Sequence, residues 1–465
     1  MMDFVFGGGA GMMDFAFGGA RLQPCRNEAN LVSALAAGVR VWIAVGCLLF
    51  VAPGFAQAPA PARLTLHDAE QLALKNNPRI SVARLLSLAQ GQVTREAKSA
   101  YMPTAAISLT AVDAHAGSRI AAGAINNPSL FDRAAGGVTV GQLITDFGRT
   151  RNLVASAHFR ELSQVAAEQA TIADITLAVD QAFYGALSAQ AELNVAEQTV
   201  NARQNTADQV QALAKSKLKS DLDLSFANVN LAQAKLLLLD AQNHKDAAFA
   251  NLNSLLGFDR QQAYTLVDES GAAISAPAGN EDDLLQQALR SRPDLVALDD
   301  EREAAERLRR AEHDLSRPTV SALGVTGQAP VRVPQIDPWW GAVGVNVNIP
   351  VFNGFLFAAR AHEADYRTAA AQQQVRDLRD RIARDVQVTW LQAQTAYQRV
   401  SVSQQLLTQA NLALDLAQTR YQLGLSSIVE LSQAQLQQTE AAIGSATARY
   451  NYLSALSELR FQTGQ

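Results

Sequence analysis

Two cysteines in 465 residues, and only 14 prolines and 6% aromatics, mark this chain first by what it does without. Both cysteines, Cys25 and Cys47, fall near the N-terminus, so the remainder of the chain can carry neither a disulfide framework nor a thiolate metal site. Proline is missing between Pro128 and Pro277 and again after Pro350. Between Arg149 and Leu256 the only glycine is Gly185, and between Leu356 and Thr463 there are only Gly424 and Gly444. Positive charge is in short supply as well: the net charge is −5, and no basic stripe with interleaved aromatics appears, which argues against nucleic acid as a partner. A hydrophobic content of 48% nonetheless excludes intrinsic disorder.

Catalytic signatures are also absent. The six histidines (His67, His115, His158, His244, His313 and His362) are scattered, and His362-Glu363 has no second histidine at the metalloprotease spacing. With no P-loop, nucleophile elbow or cysteine pair, the expectation is a protein that is not an enzyme and uses no cofactor and no metal. Gly7-Gly8-Gly9-Ala10-Gly11 is compositional, since Met1 to Gly8 is echoed almost word for word by Met12 to Gly19.

What is present begins with a leader. Arg40 precedes the apolar run Val41 to Val51, which is followed by Pro53-Gly54-Phe55-Ala56-Gln57-Ala58. A positive charge, a short apolar core and an A-x-A site are the pattern of a secretory signal, and the run falls short of the roughly 20 apolar residues a spanning helix needs. Cleavage after Ala58 is expected, leaving 59–465 as the exported protein. Acylation at Cys47 within Val45-Gly46-Cys47 is the competing reading. Removing residues 1–58 takes away three bases (Arg21, Arg26, Arg40) and three acids (Asp3, Asp14, Glu28), so the exported chain also carries −5.

The two windows purged of breakers are rich in Ala, Leu, Gln, Glu and Arg. Since an interior proline costs about 3 kcal/mol and glycine about 1, they predict long helices at about 149–215, 222–256, 355–421 and 428–463. A helix of about 65 residues reaches on the order of 100 Å. Val386, Trp390, Ala393, Tyr397, Val400, Gln404, Leu407, Asn411 and Leu414 follow steps of four and three, a coiled-coil seam. Four short stretches alternate instead: 104–112, 136–143, 319–327 and 340–351 read as strands with one apolar and one polar face, pairing first with second and third with fourth across loops 114–135 and 328–338. Trp339 and Trp340 stand at a strand end, where membrane-interface anchors are expected.

The order of short helix, strand, loop, strand, long helix, turn and helix occurs twice. Pro78 and Pro293, and Pro103-Thr104 and Pro318-Thr319, match at one offset; Gly148 with Gly354, Ser220 with Ser427, Leu224-Ser225 with Leu431-Ser432 and Gly257 with Gly464 match at a slightly smaller one. A duplication with repeats at about 64–270 and 280–465 is the simplest account. Four strands cannot close a barrel, and an open sheet edge in lipid costs several kcal/mol per unpaired group, so further copies must complete the wall. Two copies make a filled eight-stranded plug; three make a twelve-stranded pore. The physical reading is a conduit of the α+β membrane class. A coiled-coil surface scaffold or adhesin is the alternative.

Gln142-Leu143-Ile144-Thr145-Asp146-Phe147-Gly148-Arg149-Thr150-Arg151, the partner stretch Asn348-Ile349-Pro350-Val351-Phe352-Asn353-Gly354, and Tyr421 to Leu431 (YQLGLSSIVEL) resemble signature stretches of the TolC-like outer-membrane efflux proteins. The resemblance spans about 64–464. It implies a homotrimer with a twelve-stranded outer-membrane barrel, four strands per chain, continued by an α-helical periplasmic tunnel. It also implies contact with outer-membrane lipid, with a periplasmic adaptor (membrane fusion) protein and with an inner-membrane efflux or secretion transporter. It places acidic gate positions at Asp223 and Glu430 and a gate-holding aromatic at Tyr421. Ser220 with Asp223, and Ser427 with Glu430, are equally capping-box spacings that end helices favourably. Ser426 and Gln433 depart from the family pattern, where some relatives carry a further base and a further acid. The turn residues Lys217, Lys219, Ser220, Gly424, Ser426 and Ser427 form the tip that would meet an adaptor, although lysines at a helix end, here with Lys215, also simply suit the macrodipole. The mixed-charge run Asp299 to Arg310 is expected to be an exposed face with Glu303–Arg307 and Glu306–Arg310 pairs.

Overall fold

The computed structural model describes residues 62–113, 133–258, 262, 264–268, 274–329 and 337–465; the predicted leader with Cys25 and Cys47, and most of loops 114–135 and 328–338, lie outside the described residues. In chain order the elements are β1 (Ala62–Leu64), α1 (Leu66–Asn76), α2 (Pro78–Ser99), β2 (Thr104–Val112), β3 (Arg133–Thr145), α3 (Arg149–Lys215), α4 (Asp221–Leu255), β4 (Tyr264–Leu266), α5 (Glu281–Ser291), α6 (Pro293–His313), β5 (Thr319–Gln328), β6 (Trp339–Asn348), α7 (Leu356–Gln422) and α8 (Ile428–Gln462). The long helices fall within a residue of the breaker-free windows. α3 and α7 have 67 residues each, and α4 and α8 have 35 each. Among the described residues no helix is both long and apolar enough to cross a membrane.

The short helices dock end to end on the medium ones. Asn77 accepts from the Arg79 amide through Oδ1 at 2.9 Å, starting α2, while its Nδ2 donates to the Leu255 carbonyl at 2.9 Å, satisfying the end of α4. At the corresponding joint Ser291 Oγ donates to the Thr463 carbonyl at 2.9 Å and Arg292 donates to the Gln462 side chain, joining α8 to α6. Gly257 and Gly464, at φ 74° and 71°, close these joints; a Cβ on either would collide with the opposing backbone, at Asn76 or at Ser291. α3 and α7 run unbroken alongside. Around the joints, Leu64, Ile175, Phe183, Leu252 and Leu256 form one apolar core, and Leu284, Leu295, Ile382, Val386 and Leu459 another.

The four long strands form one antiparallel sheet in the order β2-β3-β5-β6. Both predicted hairpins are present, and β3–β5 pairing joins them. The strand predicted at 340–351 stops at Asn348, because Pro350 has no amide to donate to a ladder; Ile349 and Val351 lie beyond it. Alternation divides the sheet. On one face Ile107, Leu109, Val140, Val343, Val345 and Val347 are all exposed, Val343 at 91%. The other carries Thr104, Ser108, Thr139, Ser321 and Asn346. The consecutive tryptophans therefore part company. Trp339 stands on the apolar face, while Trp340 lies over Gly327 and Gly137 on the polar one, where a Cβ at Gly327 would meet the indole at 2.6 Å.

Two expectations change in the helices. In α7 the seam holds at Val386, Ala393, Leu407 and Leu414, but Gln404 and Asn411 are exposed and Ser403 and Ala410 are buried in their stead. The two polar side chains flank the seam and bond across it, Gln404 to Ser445 at 3.1 Å and Asn411 to Gln438 at 3.1 Å. The charged run on α6 is half-buried between α3 and α7 rather than an open face. Asp299 pairs with Arg379, Arg309 with Asp365 and Glu301 with Arg160. Glu306–Arg310 forms at 3.2 Å, but Glu303 pairs with Arg302 at 2.9 Å, leaving Arg307 over the Phe159 ring.

Candidate functional site

The predicted gate and tip residues converge at the far ends of the two long hairpins, while Trp339 and Trp340 stand apart on β6. Each hairpin turns by the same hydrogen-bond logic. α3 ends as the Leu218 amide reaches the Leu213 carbonyl and the Lys217 amide the Ala214 carbonyl, both at 2.9 Å. α7 ends as the Leu425 amide reaches Arg420 at 2.8 Å and the Gly424 amide reaches Tyr421 at 3.1 Å. This double closure needs a left-handed residue, which is Gly424 at φ 74° in one turn and Lys217 at φ 58° in the other. Ser220 and Ser427 then cap α4 and α8.

The predicted capping boxes differ. At Ser220 the box is complete: its Oγ accepts from the Asp223 amide at 3.1 Å, and the Asp223 carboxylate accepts from the Ser220 amide at 3.1 Å and hydroxyl at 2.8 Å. At Ser427 only half forms, with the Glu430 amide donating to Ser427 Oγ at 3.3 Å. The Glu430 carboxylate turns instead to Arg420 Nε at 3.1 Å. Arg420 escaped the sequence reading because only the closed hairpin brings the last turn of α7 beside the first turn of α8.

The two turns are fastened together. Tyr421 is buried with Ala207, Val210, Ala227, Leu231, Ile428 and Leu431 in a small core drawn from both hairpins. Lys219 crosses from the first turn, its Nζ donating to the Tyr421 carbonyl at 3.2 Å and standing 3.8 Å from the ring centroid. Asn230 donates to Ser432 at 2.7 Å just above. Tyr421 Oη is buried with no hydrogen-bond partner among the described residues. Burial first, and then the nearby Asp223 charge, push its phenol above the ordinary tyrosine range. The structure thus gathers Asp223, Lys219 and Tyr421 together and holds Glu430 to its own hairpin.

Of the tip residues expected to face a partner, Lys217, Ser220, Gly424 and Ser427 are exposed, as are the neighbouring Leu218 and Leu425 at 70% and 67%. Ser220 and Ser427 are occupied as caps, Gly424 supplies the turn, Lys219 points inward, and Ser426 is half-buried with its Oγ unpartnered among the described residues. A second interhelical cation was not legible from sequence: Arg203 of α3, buried with no carboxylate partner among the described residues, donates to the Gln435 carbonyl at 2.7 Å and to Thr439 Oγ1 at 3.1 Å. Desolvation brings its pKa down to about 10. Among the described residues no group of acids, histidines or cysteines could hold a metal ion.

Comparison with known proteins gives one family and one fold. A family model described as outer membrane efflux protein matches residues 70–258 and 284–465. The chain superposes on the transmembrane channel protein CusC with a TM-score of 0.76 at 18% identity, covering 86% of this chain and 92% of that one. For the outer membrane protein VceC of Vibrio cholerae the values are 0.75, 18%, 86% and 96%. For the open state of the MtrE outer membrane channel of Neisseria gonorrhoeae they are 0.71, 18%, 86% and 88%. No curated protein gives a significant match.

Proposed function

Because the chain belongs to the outer membrane efflux protein family, we propose that three copies assemble into a single export duct, each adding four strands and two long hairpins. Family membership makes it an outer-membrane efflux channel and not an enzyme, and it removes the scaffold or adhesin alternative. The observation that carries the assembly is the sheet. Its apolar face is bare, and β2 and β6 each keep one edge unpaired among the described residues. In lipid such edges cost several kcal/mol per unpaired group, and joining β6 of one copy to β2 of the next removes them. Twelve strands leave an aqueous interior. The polar sheet face then lines the pore, the valine face meets lipid, and Trp339, the tryptophan on that face, anchors at the membrane boundary.

Below the sheet the helices continue as a periplasmic tunnel. Exposed apolar side chains on α2 (Val82, Leu86) and α7 (Val388, Leu391, Val402) become the contacts between copies. The matched element lengths and matched turns support an internal duplication, with repeats at about 64–270 and 280–465, and residues 1–58 are a removable leader. Asp223 and Glu430 of three copies form a ring of six carboxylates that narrows the tip and favours cations. Lys217, Leu218 and Leu425 meet a periplasmic adaptor, which couples the duct to an energised inner-membrane transporter. Mass measurement in detergent and planar-bilayer recording test the assembly: trimers with ion conductance are expected, and a monodisperse single-copy protein soluble without detergent refutes it. For the gate, Asp223→Ala with Glu430→Ala raises conductance or weakens cation preference; unchanged currents reject it.

A further inference from the structure

The seams inside the sheet set the register of the one it leaves open. In the first hairpin Thr104 of β2 pairs with Gly141 of β3, and in the second Thr319 of β5 pairs with Asn348 of β6. Each threonine opens its strand directly after a proline. β2 and β5 therefore correspond with Thr104 at Thr319, and β3 and β6 with Gly141 at Asn348. The entries to the long helices give an independent check. Gly141 stands seven residues before Gly148 and Asn348 six before Gly354, and the one-residue bulge in β3 between Leu143 and Thr145 takes up the difference.

Between the hairpins β3 meets β5 with Gly141 opposite Leu323. The free edges of the sheet belong to the same two kinds of strand: β6 is exposed at every position and β2 at all but Val112. On the reading that identical copies wall one duct, we infer that β6 of one copy pairs with β2 of the next in the β3–β5 register, with Asn348 opposite Ser108. Leu323 lies four residues past Thr319 and Ser108 four past Thr104, which fixes that pairing. Val347 then faces Leu109 and Val345 faces Ala111 on the apolar side, while Asn346 faces Thr110 on the polar side. A slip of one residue turns one strand's side chains to the wrong face. A slip of two keeps the faces but moves α7 along the neighbouring copy by about 7 Å. That breaks the step which β3–β5 pairing sets between α3 and α6, the helices packed together below it.

Paired cysteines read this register directly. Within one chain β2 and β6 lie three strand spacings apart, about 14 Å, so a disulfide between them, which needs Cβ atoms about 4 Å apart, forms only between copies. Adjacent pairs in an antiparallel ladder alternate between closer and wider spacing, so one pair of each kind is tested: Val347→Cys with Leu109→Cys, and Asn348→Cys with Ser108→Cys. Oxidation of the full chain in detergent should link copies covalently, seen on a non-reducing gel, through at least one of these pairs. The displaced pairs Val345→Cys with Leu109→Cys and Ile349→Cys with Leu109→Cys, diagonal neighbours at about 7 Å, should link at least about tenfold more slowly. Single-cysteine variants set the background. Faster linking of a displaced pair overturns the register and leaves the duct standing. Trimers by mass that none of these pairs can link overturn the β6–β2 seam. A single-copy protein by mass overturns the duct and this inference with it.

Discussion

The α3–α4 and α7–α8 turns share one backbone solution and differ in how their acids are used. In the first, Asp223 is consumed locally, closing the capping box with Ser220, and Lys219 reaches out to the other hairpin. In the second, Ser427 caps alone, and Glu430 spans its own hairpin to Arg420. A carboxylate held by backbone and hydroxyl donors is fixed by the helix start itself. One held by an exposed guanidinium can be exchanged for another partner at little cost, since such pairs contribute about 0–1 kcal/mol. The first turn is thus the rigid member and the second the adaptable one, even though they began with matching residues.

Breaking the shared core should have the largest effect. Tyr421→Ala empties the one aromatic place in the cluster and is expected to cost about 3 kcal/mol locally, read as lost amide-exchange protection in both turns at once. If only the α7–α8 turn loses protection, the two are not coupled through this ring. Lys219→Met keeps the stem and deletes the charge over Tyr421, costing about 1.5 kcal/mol and loosening the turns from one another without unwinding either. A smaller and more diagnostic contrast comes from the acids. Asp223→Ala should cost about 1 kcal/mol, most of it independent of salt, because the carboxylate's hydrogen bonds to the Ser220 amide and hydroxyl are lost while the Ser220 cap remains, whereas Glu430→Ala should cost less, by an amount that vanishes in high salt. The smallest effect has the opposite sign: Lys217→Gly relieves a left-handed side chain and should stabilise its turn by about 0.5 kcal/mol, while Gly424→Lys destabilises the other. Thermal melts of the two variants should move in opposite directions.

The breaker-free windows located α3, α4, α7 and α8 to within a residue, because proline and glycine act on the backbone wherever the chain goes. The strands were found, since alternation is a local period, but their ends less closely: β3 runs from Arg133 to Thr145 against an expected 136–143, and β6 stops at Asn348 against an expected end at 351. What escaped depends on neighbours. Gln404 and Asn411 kept perfect four-three spacing yet lie at the rim, because below Ala393 the buried stripe shifts phase to Ser403, Ala410 and Ala417, a change set by what packs against α7 and not by its own period. Glu430 had the spacing of a box residue, but no one-dimensional pattern states that Arg420 is folded back beside it. The mixed charges of α6 suggested water because the helix alone shows nothing of α3 and α7 on either side. Trp339 and Trp340 read as a pair, and only the strand's alternation set against Gly327 separates their faces.

The end-to-end joints carry a mechanical consequence. At Asn77–Leu255 and at Ser291–Thr463 two rods are spliced through a few side-chain hydrogen bonds, while α3 and α7 pass the same level as unbroken fibres. A splice resists compression, because helix end abuts helix end, but under tension it has little beyond those bonds. Pulling or twisting at the hairpin tips is therefore transmitted toward the sheet by two continuous members per chain, and any bend concentrates at the height of the splices.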